Sequence, residues 1–189
     1  FSKLPTEAEL KALKEKMVAA VPDLEETIKT VASLAPNIPA FNRPTEYMAL
    51  AADDHYAVYD GEIQTVLPDG DKKRYSIQDY KSVTNEWVSP QSTAKFCKNR
   101  LDSYAAGALA RFNNNYEFLH PNAKALAETL GMSPVVGNPY LNSAAQLIEV
   151  VHAVYDSLEI IDQLLSKGIN SEELQKPTKY STGAGAVEV

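Results

Sequence analysis

The longest apolar line in the chain runs Leu147, Val151, Val154, Leu158, Ile161 and Leu165, in alternating steps of four and three. Those steps place every one of these side chains on one face of an α-helix. Asn138-Pro139 opens the stretch, and Gly168 follows Lys167 as a stop. A helix of that length with one apolar stripe needs helical neighbours to cover it. The N-terminal third supplies one. Thr6-Glu7-Ala8-Glu9 is a capping box. Leu10, Leu13, Met17 and Val18 follow at helical spacing, and Leu24, Ile28, Val31 and Leu34 carry the stripe onward. Pro22 kinks this helix or divides it, and Pro36 and Pro39 end it. A further helix opens at His120-Pro121 and closes at Gly131, with Ala123, Leu126, Ala127 and Leu130 between.

The period changes in the middle of the chain. Tyr47-Met48-Ala49-Leu50 reads as a short apolar helical stretch in a loop. His55–Tyr59 and Glu62–Leu67 are two β-prone runs across Asp60-Gly61, a strong hairpin signal. Pro68-Asp69-Gly70-Asp71 predicts a second turn, with Lys72–Tyr75 as a charged edge strand. Ser76 is the expected cap of a short helix, and Trp87 to Tyr104 lacks periodicity and reads as loop. The fold class is therefore α+β and mostly helical. It is a bundle of long helices with a small antiparallel β-hairpin insertion near residues 55–76, in a single domain over 1–189.

The charge balance excludes several roles. Lys and Arg number 18 against 25 Asp and Glu, a net charge of −7. Coating nucleic acid or docking on an anionic membrane needs a cationic surplus. No apolar run is long enough to cross a bilayer. The lone cysteine, Cys97, can close no disulfide within the chain and belongs to no cysteine pair that would hold zinc or an iron–sulfur cluster. That usage suits a reducing, cytoplasmic setting. The sequence begins without Met and ends in a Gly-rich stretch turning β-prone, so it is expected to be a piece of a longer chain.

Four groups of residues carry chemistry. Glu117-Phe-Leu-His120 and Glu149-Val-Val-His152 are Glu-x-x-His steps, the spacing that offers a carboxylate and an imidazole to one metal in di-metal carboxylate bundles. His120 precedes proline, which disfavours helical geometry at that position, and the competing reading of His152 is a half-buried helix residue with local partners. Cys97 lies between Lys95 and Lys98, surroundings in which nucleophilic thiolates form, but a nucleophile also needs a base and an oxyanion donor. Arg111-Phe-Asn-Asn-Asn-Tyr116 is dense in donors, suited to binding a carboxylate or another loop; local capping at a helix end is the favoured reading for its asparagines. Gly183-x-Gly185 lacks the third glycine and the flanking strand and helix of a dinucleotide site.

Several stretches together resemble the large subunit of cytoplasmic, cofactor-coupled nickel–iron hydrogenases, the sulfhydrogenase and NAD(P)- or viologen-linked type. They are Trp87-Val-Ser-Pro-Gln-Ser-Thr-Ala-Lys-Phe96, Gly107-Ala-Leu-Ala-Arg-Phe-Asn113, Asn113-Asn-Asn-Tyr116 with His120-Pro121, and Tyr180-Ser-Thr-Gly-Ala-Gly-Ala-Val-Glu188. The last is similar to the approach to the family's Glu-Ala-Pro-Arg-Gly stretch. The helix Gln146–His152 and Gly168-Ile169 match the run between these motifs. The resemblance implies an enzyme that splits H2 at a nickel–iron centre. It also implies a small subunit carrying iron–sulfur clusters and further electron-transfer subunits as partners. The family holds its metals by two Cys-x-x-Cys pairs, and this sequence has neither. The resemblance therefore assigns no catalytic, cofactor-binding or metal-ligating residue here, and leaves Arg111 and Asn113 structural roles. It places Glu188 near the metal cavity of the full subunit. The expectation is a central scaffold segment, inactive and metal-free by itself, whose orphaned apolar seams favour self-association. Two rivals stand beside it: a di-metal carboxylate protein with Glu117, His120, Glu149 and His152 as ligands, and a non-catalytic interaction domain derived from a hydrogenase.

Overall fold

The computed structural model describes residues 4–171, 173 and 175–188, and among these there are five α-helices and two small sheets. The first helix, α1 (Glu7–Leu34), starts at the expected capping box: the Thr6 side chain accepts from the Glu9 amide, and the Glu9 carboxylate accepts from the Thr6 amide. Pro22 lies inside one continuous helix and does not divide it. The helix packs along α5 (Asn142–Lys167), with Lys14 paired to Asp162 across the two. The α1 stripe is only partly used. Leu10 is buried and Leu24 and Ile28 pack against the core, while Leu13 and Val18 are exposed.

The main sheet has four strands. The strands β1 (Glu46–Ala51), β2 (Glu62–Val66) and β3 (Lys72–Tyr75) form an antiparallel meander, with Ala49 opposite Gln64 and Ile63 opposite Tyr75. The predicted charged edge strand and the turn before it are present. Two expectations are corrected. The stretch around Tyr47–Leu50 is strand β1 and not helix, and His55–Tyr59 lies in the loop that joins β1 to β2. The reason is two-sided burial. All of β1 is buried, with α3 (Ala108–Asn115) on one side and the cluster of Met48, Leu50, Ala57, Ile63 and Val83 on the other. A strand buried on both faces shows no alternation, so its sequence cannot be told from a helical segment by period. At Asp60-Gly61 the chain bends without a hydrogen-bonded turn among the described residues: Gly61 has φ +104°, and a Cβ there would lie 2.6 Å from the Ala51 carbonyl oxygen.

Helix α2 (Tyr80–Thr84) precedes the region read as loop, and three two-residue strands lie in it and at its end. These are β4 (Trp87–Val88) and β5 (Lys95–Phe96), paired with each other, and β6 (Tyr104–Ala105). The last runs parallel to β1, opposite Glu46 and Tyr47. Ser76 precedes a 3₁₀ turn, Ile77–Asp79, without capping it. Helix α4 (Pro121–Thr129) opens with the His120 ring accepting from the Asn122 amide. The core gathers Phe112 from α3, Leu126 from α4 and Ile148 and Val151 from α5 under the sheet. The predicted α5 line packs here, with Val151 and Ile161 buried and Leu147, Val154, Leu158 and Leu165 half-buried, while Ala144, Ala145 and Ile148 widen the buried face.

The triple asparagine is corrected as well. Asn113, Asn114 and Asn115 are buried within α3 and do not cap its start. Their amides fix α3 to the sheet and to the loop before α5. Asn114 donates to the Tyr47 carbonyl at 3.1 Å and Asn115 to the Leu50 carbonyl at 2.9 Å. Asn113 exchanges two bonds with the Val136 backbone, at 3.1 and 2.8 Å. A buried polar side chain persists where its bonding capacity is met, and each of these amides meets it.

Candidate functional site

Arg111 projects from α3 between two carboxylates. Its Nε and Nη2 donate to Glu149 of α5 at 2.6 and 2.9 Å, a bidentate fork. Its Nη1 donates to Glu188 at 3.2 Å. Only 13% of the Arg111 side chain is exposed. The Tyr56 hydroxyl, from the β1–β2 loop, donates to the same Glu149 at 2.8 Å. Glu188 is fixed on both sides: its carboxylate accepts from the Leu50 amide at 2.6 Å, and its own amide donates to the Val58 carbonyl at 2.7 Å. The strand β6 reaches only Glu46 and Tyr47, so beyond it Asn115 and Glu188 supply the partners Leu50 would otherwise lack.

These residues border a cleft of about 220 Å³ that also includes His152. The Tyr56 and His152 rings lie 4.8 Å apart. His152 Nδ1 accepts from the His120 amide at 3.0 Å, which leaves Nε2 to carry the ring proton. Burial holds the His152 pKa below the ordinary imidazole value. Burial and the Glu149 carboxylate hold Tyr56 protonated far above the usual phenol range, and the two carboxylates raise Arg111 further. The cluster therefore carries one positive and two negative charges with little access to water. It is a fixed electrostatic clasp, with no nucleophile and base paired in it.

The predicted site residues part company here. Glu149 and His152 share this cleft, with Glu149 bound by Arg111 and Tyr56. His120 joins through its backbone, while its ring stacks on Tyr155 and its Nε2 lies 3.3 Å from Glu159. Glu117 is exposed on a 3₁₀ turn. Among the described residues, no three His, Cys, Asp or Glu side chains converge as a metal-binding group. Cys97 is half-buried beside Tyr104, whose phenol is pushed up by burial and by this neighbour. The Gly183-x-Gly185 stretch has no regular secondary structure. Tyr56 carries no signal of its role in the sequence, because its partner Glu149 is 93 residues away. Glu46 is also unannounced. It is fully buried, and its carboxylate accepts from Asn99 and from the Arg100 and Leu101 amides.

No known family's sequence profile matches the chain. Its sequence is 26% identical over 167 residues to sulfhydrogenase 1 subunit alpha of Pyrococcus furiosus, covering 88% of this chain and 38% of that one. This chain is similar to a hydrogenase alpha subunit. Its fold agrees. A chain of an NAD+-reducing [NiFe]-hydrogenase in the H2-reduced state superposes with a TM-score of 0.70 at 21% identity, over 92% of this chain and 42% of that one. The chain thus spans less than half the length of each of these two proteins. The α+β architecture expected from the sequence is the hydrogenase-like one. No helix among the described residues is long and apolar enough to cross a membrane.

Proposed function

We propose that this chain is the central scaffold segment of a nickel–iron hydrogenase large subunit, forming one domain of a longer protein. The observation that carries it is the meeting of two hydrogenase-like motifs in one cleft. Arg111, from Gly107–Asn113, and Glu188, from Tyr180–Glu188, are 77 residues apart and form an ion pair at 3.2 Å. The parent enzyme would oxidise H2 reversibly in the cytoplasm with a soluble acceptor. Its partners would be a small subunit with iron–sulfur clusters and further electron-transfer subunits. The residues of this chain do not make up the ligand set of a nickel–iron centre. There is one cysteine, set beside Tyr104, and no converging group among the described residues. The segment's part is to place Glu188, and the backbone around it, at the edge of the metal cavity.

The test is to read the native gene on both sides and to assay this chain for H2-dependent viologen reduction. The expected results are two Cys-x-x-Cys pairs outside these residues and no activity in the chain alone. Activity in the isolated chain would overturn the assignment. So would about two irons or manganese ions per molecule that disappear in Glu149→Ala or His152→Ala, the stoichiometry of a di-metal carboxylate site.

A further inference from the structure

A second cleft, of about 210 Å³, shares no lining residue with the Arg111 cleft. It opens where β1, β6 and the start of α3 meet the turn at Gly137–Pro139. Tyr47 lines it. This residue is 2% exposed, and its hydroxyl has no hydrogen-bond partner among the described residues. The hydroxyl itself is not sealed in, so water or a bound molecule can supply the missing partner. Arg43 stands at the same cleft, exposed and in no ion pair among the described residues. Its base is fixed, because its amide donates to the Gly137 carbonyl at 3.0 Å. Both residues line the same cleft; burial pushes the Tyr47 phenol up, and the Arg43 charge opposes it. Ser103 adds a hydroxyl, engaged so far only with Thr45. Helix α3 begins beside the cleft at Gly107, and its Leu109 amide is already taken, donating to Asn142 Oδ1 at 3.1 Å. The remaining wall, with Tyr104, Leu109 and Pro139, is largely apolar.

We propose that this cleft binds a small organic carboxylate, its head held by the Arg43 guanidinium and the Tyr47 hydroxyl and its apolar body against Leu109 and Pro139. One guanidinium matches one negative charge in a forked geometry. A phosphate dianion would leave charge unmatched and would not use the apolar wall. The volume lies below the roughly 300–1,000 Å³ of ordinary ligand pockets, which limits the ligand to a small one. The chain's net charge of −7 repels anions in general, so uptake of one reports this site and not the surface at large. The inference stands independently of the hydrogenase assignment.

The purified chain titrated with benzoate, followed by calorimetry and by amide chemical shifts, tests it. Saturable one-to-one binding is expected, with shifts at Ser103, Leu109 and Gly137. Arg43→Gln should weaken it at least about tenfold, and Tyr47→Phe about threefold or more, in line with charged and neutral hydrogen bonds. Arg43 is exposed and Tyr47→Phe keeps the ring, so both variants should melt near the parent, and Arg43→Lys should restore part of the affinity. Uncharged benzamide should bind at least about tenfold more weakly than benzoate if the charged contact dominates. Absence of saturable binding, or equal affinity in Arg43→Gln, would overturn the site. Inorganic phosphate binding as tightly as benzoate would overturn the carboxylate class.

Discussion

Arg111 is the residue whose loss should cost the fold most for its size. Without it, Glu149 and Glu188 face one another nearly dry, with side-chain exposures of 19% and 13%. Breaking a buried pair from one side costs about 3–5 kcal/mol, so Arg111→Met should lose stability of that order in urea unfolding. Glu188→Gln keeps the oxygen for the Leu50 amide and should lose less, about 1–2 kcal/mol. The histidines carry opposite signs. His55 is held between Asp54 and Asp60, each 2.7 Å from a ring nitrogen, and these bonds raise its pKa. Its contribution is complete below the ordinary imidazole value of about 6.5 and fades as pH rises through the raised one. Burial lowers His152, so its contribution is present above that ordinary value and is lost as pH falls through the lowered one. Ring titration by NMR should find His55 above and His152 below, and the reverse order would refute this account.

At the scale of elements, strand β1 depends on partners that are not strands. Asn115 and Glu188 complete its backbone bonding where β6 stops. Replacing Asn115 by Ala leaves the Leu50 carbonyl buried and unpaired, an expected loss of about 1–3 kcal/mol by chemical denaturation. The β1–β2 loop ends at a position open only to glycine. Gly61→Ala would set a Cβ against the Ala51 carbonyl while forcing φ +104° on an L residue. The strain of such a residue is about 1–3 kcal/mol before the collision, and a melting temperature equal to the parent's would count against it. This loop shows why period reading failed locally. His55–Tyr59 has strand-like residue types, yet its order comes from single long-range bonds. They are Tyr56 to Glu149, the Ala57 amide to Asn115, and the Val58 carbonyl to Glu188. None of those partners is near in sequence.

Across the whole molecule, the final described stretch returns to the sheet it left. Ala186 packs on the cluster of Met48, Leu50, Ala57, Ile63 and Val83, and Glu188 is tied to two backbone positions and to Arg111. Deleting residues 181–189 should therefore lower the melting temperature more than Glu188→Gln does. It strips an apolar cover as well as an ion pair. An unchanged melting temperature would show that the return contact contributes nothing in solution. Leu13 and Val18 on α1 and Ile160 and Leu164 on α5 remain exposed along the outer helix pair.

The sequence alone determined what short-range rules govern. The capping box at Thr6, the stop at Gly168, proline at the start of α4 and the charged edge strand β3 are all set within a few residues. It also held the hydrogenase-like motifs, each in a contiguous run. Tertiary structure alone decided that Tyr47–Leu50 is a strand, since burial on both faces erases the alternation that would announce it. It turned three asparagines from caps into bolts, two from helix to sheet and Asn113 from helix to the loop before α5, because their partners are backbone groups up to 67 residues away. It also joined Arg111 to Glu149 and Glu188. A guanidinium chooses its carboxylates by distance in space and by the loss of water around them, and neither quantity is written along the chain.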